Sequence, residues 1–69
     1  MKYNTVFVNG QAFNCDKYMS LKDLLIYLDF TIDFIAVEYN NEILDSSYFH
    51  NTFMQPQDSI EVITIVGGG

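Results

Sequence analysis

Asn9-Gly10 constrains the fold of this chain more than any other dipeptide in it. A tight type I′ turn needs positive φ at both central residues, and Asn-Gly is the pair that tolerates this best. Strand chemistry lies on both sides. Tyr3 to Val8 is β-branched and aromatic, and Gln11 to Asp16 places Phe13 and Cys15 on one face with Ala12 and Asn14 on the other. The chain therefore opens with a β-hairpin, and the rest must complete a sheet around it, because a lone hairpin is marginal in water.

The hydrophobic period then changes. Ser20-Leu21-Lys22-Asp23 has the form of a capping box, with Asp23 in place of the usual Glu. Leu21, Leu24, Leu25 and Leu28 follow at i, i+3, i+4 and i+7, which predicts a helix from Leu21 to Leu28 or just beyond, with one apolar stripe. Phe34 to Tyr39 reads as a third strand closed by Asn40-Asn41, and Glu42-Ile43-Leu44 as a short edge strand. "DSSYFHN" reads as a turn or a short 3₁₀ segment, and Gln55-Pro56-Gln57-Asp58 as a turn. From Ile60 to Val66 the chain is almost wholly apolar, which suits a central strand beside the first one, covered on much of both faces. This order predicts an α+β fold: a mixed sheet with one main helix packed across one face. One helix covers only one face, so some of Ile63, Ile65 and the aromatics are expected in an exposed apolar patch for a partner.

Sixty-nine residues suffice for one small domain, read as residues 1–66 with a flexible glycine tail at 67–69. Cys15 is the single cysteine and His50 the single histidine, so neither a disulfide within the chain nor a Cys/His metal cluster is expected. Stability must come from the core, and a 49% hydrophobic content can supply one. Nine acids against three lysines and no arginine give a net charge of −6. Such a chain is poorly suited to gripping phosphates, which argues against nucleic acid, and better suited to a basic protein surface. Asp29 and Asp33 interrupt the most apolar stretch, and Met1-Lys2 leads into Tyr3 and Asn4 rather than an apolar leader. A soluble protein of a reducing compartment, bacterial cytoplasm or plastid stroma, is the expectation.

An active site is hard to assemble from these residues. Cys15 reads as a buried small hydrophobe, His50 as a surface or half-packed side chain, and Asp29 and Asp33 as the end of the helix. No nucleophile has a base beside it, so catalysis by this chain is not expected. That leaves "IVGGG". Glycine has the most backbone freedom to lose, so the segment reads as a frayed end. It reads equally as an arm without side chains, able to lie in a narrow channel and present the α-carboxylate of Gly69. Composition alone leaves both readings open.

The whole chain resembles the ubiquitin-like sulfur carriers, and among them the ThiS family. The likeness runs through the "VNGQ" hairpin, the "SLKDLLIYL" helix, the "IAVEYNNEIL" strand pair and the "DSIEVITIVGGG" ending. It departs where family members often carry Gly-Asp before the last strand and this chain has Gln57-Asp58. It also departs where they often carry Pro-Arg and this chain has Asp45-Ser46. The resemblance implies a β-grasp fold and a carrier without cofactor or metal of its own. Gly69 would be adenylated by a ThiF-type enzyme using ATP and magnesium, then converted to a thiocarboxylate by a persulfide donor fed by a cysteine desulfurase. Thiazole synthase of the ThiG type would accept the sulfur.

On the same resemblance, Gly67, Gly68 and Gly69 would form the arm that enters the partner. Glu61, Ile63, Ile65 and Asp58 are the expected partner surface. Three rivals stand beside it: a MoaD-like small subunit of molybdopterin synthase with the same fold, a ubiquitin-like modifier that forms isopeptide bonds, and a plain interaction domain with an inert tail. The segment "IAVEYNNEIL" and the short length favour ThiS over MoaD.

Overall fold

The computed structural model describes residues 3–65. Strands β1 (Tyr3–Val8) and β2 (Gln11–Asp16) form the opening hairpin, paired from Tyr3↔Asp16 to Val8↔Gln11. Asn9 (φ 51°) and Gly10 (φ 81°) both take the left-handed backbone that the type I′ turn demands.

Helix α1 (Leu21–Tyr27) starts at the expected capping box. The Ser20 hydroxyl accepts from the Asp23 amide at 3.1 Å, and the Asp23 carboxylate accepts from the Ser20 amide at 3.3 Å. Helix α1 is a residue shorter than the sequence period suggests, because Leu28 already has cap geometry and Asp29 turns to a positive φ of 68°. Leu21, Leu24 and Leu25 are buried, and Leu28 packs partly against the same cluster. Burying a leucine stabilises a fold by about 1.5–3 kcal/mol, so this stripe is a principal anchor of the domain.

A short 3₁₀ turn (Ile32–Phe34) leads into β3 (Ile35–Tyr39), so Phe34 closes a turn rather than opening the strand. After a second left-handed pair, Asn40-Asn41, the chain returns as β4 (Glu42–Leu44). A 3₁₀ segment (Ser46–Asn51) follows, capped by the Asp45 carboxylate on the Ser47 amide, which explains why Asp-Ser serves at this junction. Phe49 from this segment and Met54 beyond it fill the core beneath α1.

Strand β5 (Ser59–Thr64) completes a sheet of order β2-β1-β5-β3-β4. It runs parallel to β1 and antiparallel to β3, the mixed sheet with a central last strand that the element order predicts. One expectation is corrected. The apolar run is not covered on both faces: only Ile60 is buried, Val62 is half-buried, and Glu61, Ile63 and Thr64 are exposed. Helix α1 and the 3₁₀ segment occupy one face only, and pairing with β1 stops at Val8↔Ile60 because the hairpin turns away there. No helix is long and apolar enough to cross a membrane among the described residues.

Candidate functional site

Gly67, Gly68 and Gly69 lie outside the described residues, as does Val66. The described structure ends one residue before Val66, and its relevant content is how β5 holds the chain that leads to them. On one side β5 pairs with β3 as far as Ile35↔Thr64, and the Ile65 amide donates to the Phe34 carbonyl at 2.9 Å. On the other side the ladder with β1 ends early, and the Asn9 side chain takes over: its Oδ1 accepts from the Val62 amide at 2.7 Å.

Alternation along β5 puts Ile60 and Val62 toward the core and Glu61, Ile63 and Ile65 on the face without a helix. Ile63 is 49% exposed and Ile65 61%. The antiparallel register sets Ala36 opposite Ile63 and Glu38 opposite Glu61, and β4 adds Ile43 opposite Glu38. Ile43 is 70% exposed and Phe34 is 48%. The open face thus carries an apolar strip (Ala36, Ile43, Ile63, Ile65) around two carboxylates that directly face one another, with Phe34 exposed in the turn before β3. Like charges in directly opposed positions cost stability, so this arrangement is not one the fold requires. Ala36, Glu38 and Ile43 belong to this face only through strand register, which is why reading the sequence alone leaves them out.

Asp58 requires a correction. Expected at the partner surface, it is 6% exposed and turned inward. Its carboxylate accepts three bonds: from the Tyr39 hydroxyl at 2.5 Å, the Asn40 side-chain amide at 3.1 Å and the Gln55 backbone amide at 2.7 Å. A carboxylate this well supplied with donors ties the turn before β5 to the turn after β3. Burial, then the Asp58 bond and its negative charge, push the Tyr39 phenol well above its ordinary range. Asp58 is a structural residue.

The other side chains weighed for chemistry behave as packing or surface groups. Cys15 is buried, and burial first, then the charges of Asp58 and Asp16, raise its thiol pKa, which opposes thiolate formation. His50 is exposed on the 3₁₀ segment. A pocket of about 190 Å³ opens beside the hairpin turn, lined by Val8, Asn9, Gln11, Phe13, Leu28 and Phe30, none of which titrates. Among the described residues no group of three or more His, Cys, Asp or Glu side chains stands ready to hold a metal ion.

Comparison with known proteins agrees with the geometry. The ThiS family model matches residues 6–69. The chain is 51% identical over 65 residues to the ycf40 protein of Pyropia yezoensis, covering 94% of this chain and 92% of that one. It is 31% identical over 64 residues to a protein of Magnetococcus marinus named thiazole synthase, covering 93% of this chain and 20% of that one. A crystal structure of thiamine biosynthesis protein ThiS from Geobacter metallireducens superposes with a TM-score of 0.78 at 28% identity. It covers 94% of this chain and 99% of that one.

Proposed function

The chain belongs to the ThiS family, and from that premise we propose that it carries sulfur for the thiazole moiety of thiamine on its C-terminal glycine. The observation that supports this most directly is the extent of the family match, which runs through the final glycines to residue 69. A β-grasp domain whose last strand is held on both edges would then serve as a rigid base for the arm Gly67-Gly68-Gly69.

A carboxylate is a poor electrophile, and adenylation supplies the leaving group it lacks. A ThiF-type enzyme would join the Gly69 carboxylate to the α-phosphate of ATP, with pyrophosphate leaving and magnesium bound by the enzyme. The outer sulfur of a persulfide donor, itself fed by a cysteine desulfurase, would attack the adenylate and displace AMP to form an acyl disulfide. A second thiol would then cleave its S–S bond as the two-electron reductant, leaving the thiocarboxylate on Gly69 and a disulfide on the donor. Thiazole synthase would accept that sulfur, and the Magnetococcus marinus relative, named thiazole synthase, favours this acceptor. The catalytic groups would belong to the partners, and this chain would act as a cosubstrate with no cofactor of its own. The open face around Glu61, Ile63 and Ile65 would dock against those enzymes, its acids meeting basic side chains. The algal ycf40 relatives favour a plastid stroma as the compartment.

Intact-mass spectrometry after incubation with a ThiF-type enzyme, MgATP and a sulfur source tests the reading. An AMP adduct followed by exchange of one oxygen for sulfur is expected. An unchanged mass beside a demonstrably active enzyme would overturn it. Adding one residue after Gly69 should preserve the fold and abolish adduct formation.

A further inference from the structure

The hairpin turn does more than reverse the chain. Asn9 is the first central residue of that turn, held at φ 51°. Its backbone amide donates to the Ile60 carbonyl at 2.9 Å, and its side-chain oxygen accepts from the Val62 amide at 2.7 Å. Two consecutive β1-facing groups of β5 are therefore satisfied by one residue that is no longer in β1. Glycine at the same place would also make the turn, since it takes positive φ without steric cost, but it has no side-chain oxygen to offer Val62.

The position of this bond matters because of what lies on either side of it. Pairing between β1 and β5 ends at Val8↔Ile60. On the β3 side the last pair is Ile35↔Thr64, followed by the Ile65 bond to Phe34. Without Asn9, the stretch from Glu61 to Ile65 would be held along one edge only and free to swing about it. A longer β1 would anchor the second edge equally well, but it would also cover that edge from Thr64 onward. A single side chain holds Val62 and leaves the remaining edge clear for the walls of another enzyme's channel.

We infer that Asn9 is a positioning residue for the transfer chemistry. Its side chain fixes the line of β5 as far as Ile65, so that the strand end from which the glycine arm must extend is already aligned when the activating enzyme binds. This rests on the sulfur-carrier reading above. Pre-alignment lowers the ordering cost of binding and is read in KM rather than in the chemical step.

The test compares Asn9→Gly, which keeps the turn and loses the acceptor, with Asn9→Asp, which keeps both, in the full-length chain. Amide exchange at Val62 should accelerate about tenfold in Asn9→Gly and stay near wild type in Asn9→Asp. With a ThiF-type enzyme and MgATP, Asn9→Gly should raise the carrier KM about fivefold, the loss of one hydrogen bond, and change kcat less than about twofold. Asn9→Asp should restore the wild-type KM. Leu24→Val, remote in α1, serves as a control for lost stability and should leave KM unchanged. Equal KM values for wild type and Asn9→Gly would overturn the role of Asn9 while leaving the carrier reading intact. Absence of adduct formation by the wild type would overturn the carrier reading and the transfer role together.

Discussion

The Tyr39 hydroxyl donates a 2.5 Å hydrogen bond to the Asp58 carboxylate, a residue nineteen positions further along the chain. That bond joins the end of β3 to the turn that launches β5, and Asn40 reinforces it by accepting from the Ser59 amide at 2.8 Å. Asp58→Ala would leave the Tyr39, Asn40 and Gln55 donors short of an acceptor. The expected loss is about 2–4 kcal/mol in urea denaturation, a large share of a small domain's stability. A loss below about 0.5 kcal/mol would show that Asp58 is not the keystone described here.

The same bond predicts a response to alkali. The folded Tyr39 phenol has a raised pKa, so its contribution is present in full below the ordinary value of 10.0 and is lost as pH rises toward the folded value. Thermal melting should therefore fall above about pH 10 in the wild type. Tyr39→Phe should melt lower at neutral pH and show a shallower alkaline decline. Parallel curves for the two proteins would contradict the assignment. The Cys15 thiol, also raised, contributes in the same direction.

Gln57 stands at φ 69°, in the position where members of the family often carry glycine. Its amide donates to the Thr5 carbonyl at 2.7 Å, a bond that glycine would keep. The left-handed backbone costs a non-glycine residue about 1–2 kcal/mol, against about 0.5–1 kcal/mol of extra unfolded-state freedom for glycine. Gln57→Gly is expected to stabilise the domain by up to about 1 kcal/mol, measured by denaturant midpoint. A destabilised variant would mean that the glutamine side chain contributes something beyond the turn.

The open face offers a pair of variants with opposite signs. Glu38→Gln with Glu61→Gln relieves two carboxylates that face each other across β3 and β5. It should raise stability by a few tenths of a kcal/mol, about 0.2–1. The same double variant should weaken binding to the activating enzyme at low salt, with the difference shrinking as salt rises. Ile63→Asp should leave the fold within about 0.5 kcal/mol of wild type, because Ile63 is on the surface. Calorimetric binding should drop at least about tenfold. Unchanged binding in both would remove this face from the partner interface.

Much of this protein was legible as sequence because local chemistry alone decided it. Asn9-Gly10 needs only its own backbone preference to make the hairpin. Ser20 and Asp23 need only three residues of spacing to cap α1, and the leucine stripe needs only the helical period. The order of these elements predicts a mixed sheet with one helix, and the whole-chain likeness to a known family, which extends to the glycines, implies the β-grasp fold.

Tertiary structure decided the rest, because those features depend on which residues the sheet brings side by side. No local pattern separates the Asp58 carboxylate, turned in to hold Tyr39, Asn40 and Gln55, from the exposed Glu61 three residues later. Which face of the apolar run is covered depends on where one helix lies, and so Ile60 is buried while Ile63 is not. Glu38 meets Glu61 and Ile43 only through strand register. Asn9 meets Val62 across fifty-three residues because a parallel pairing of first and last strands ends where the hairpin turns.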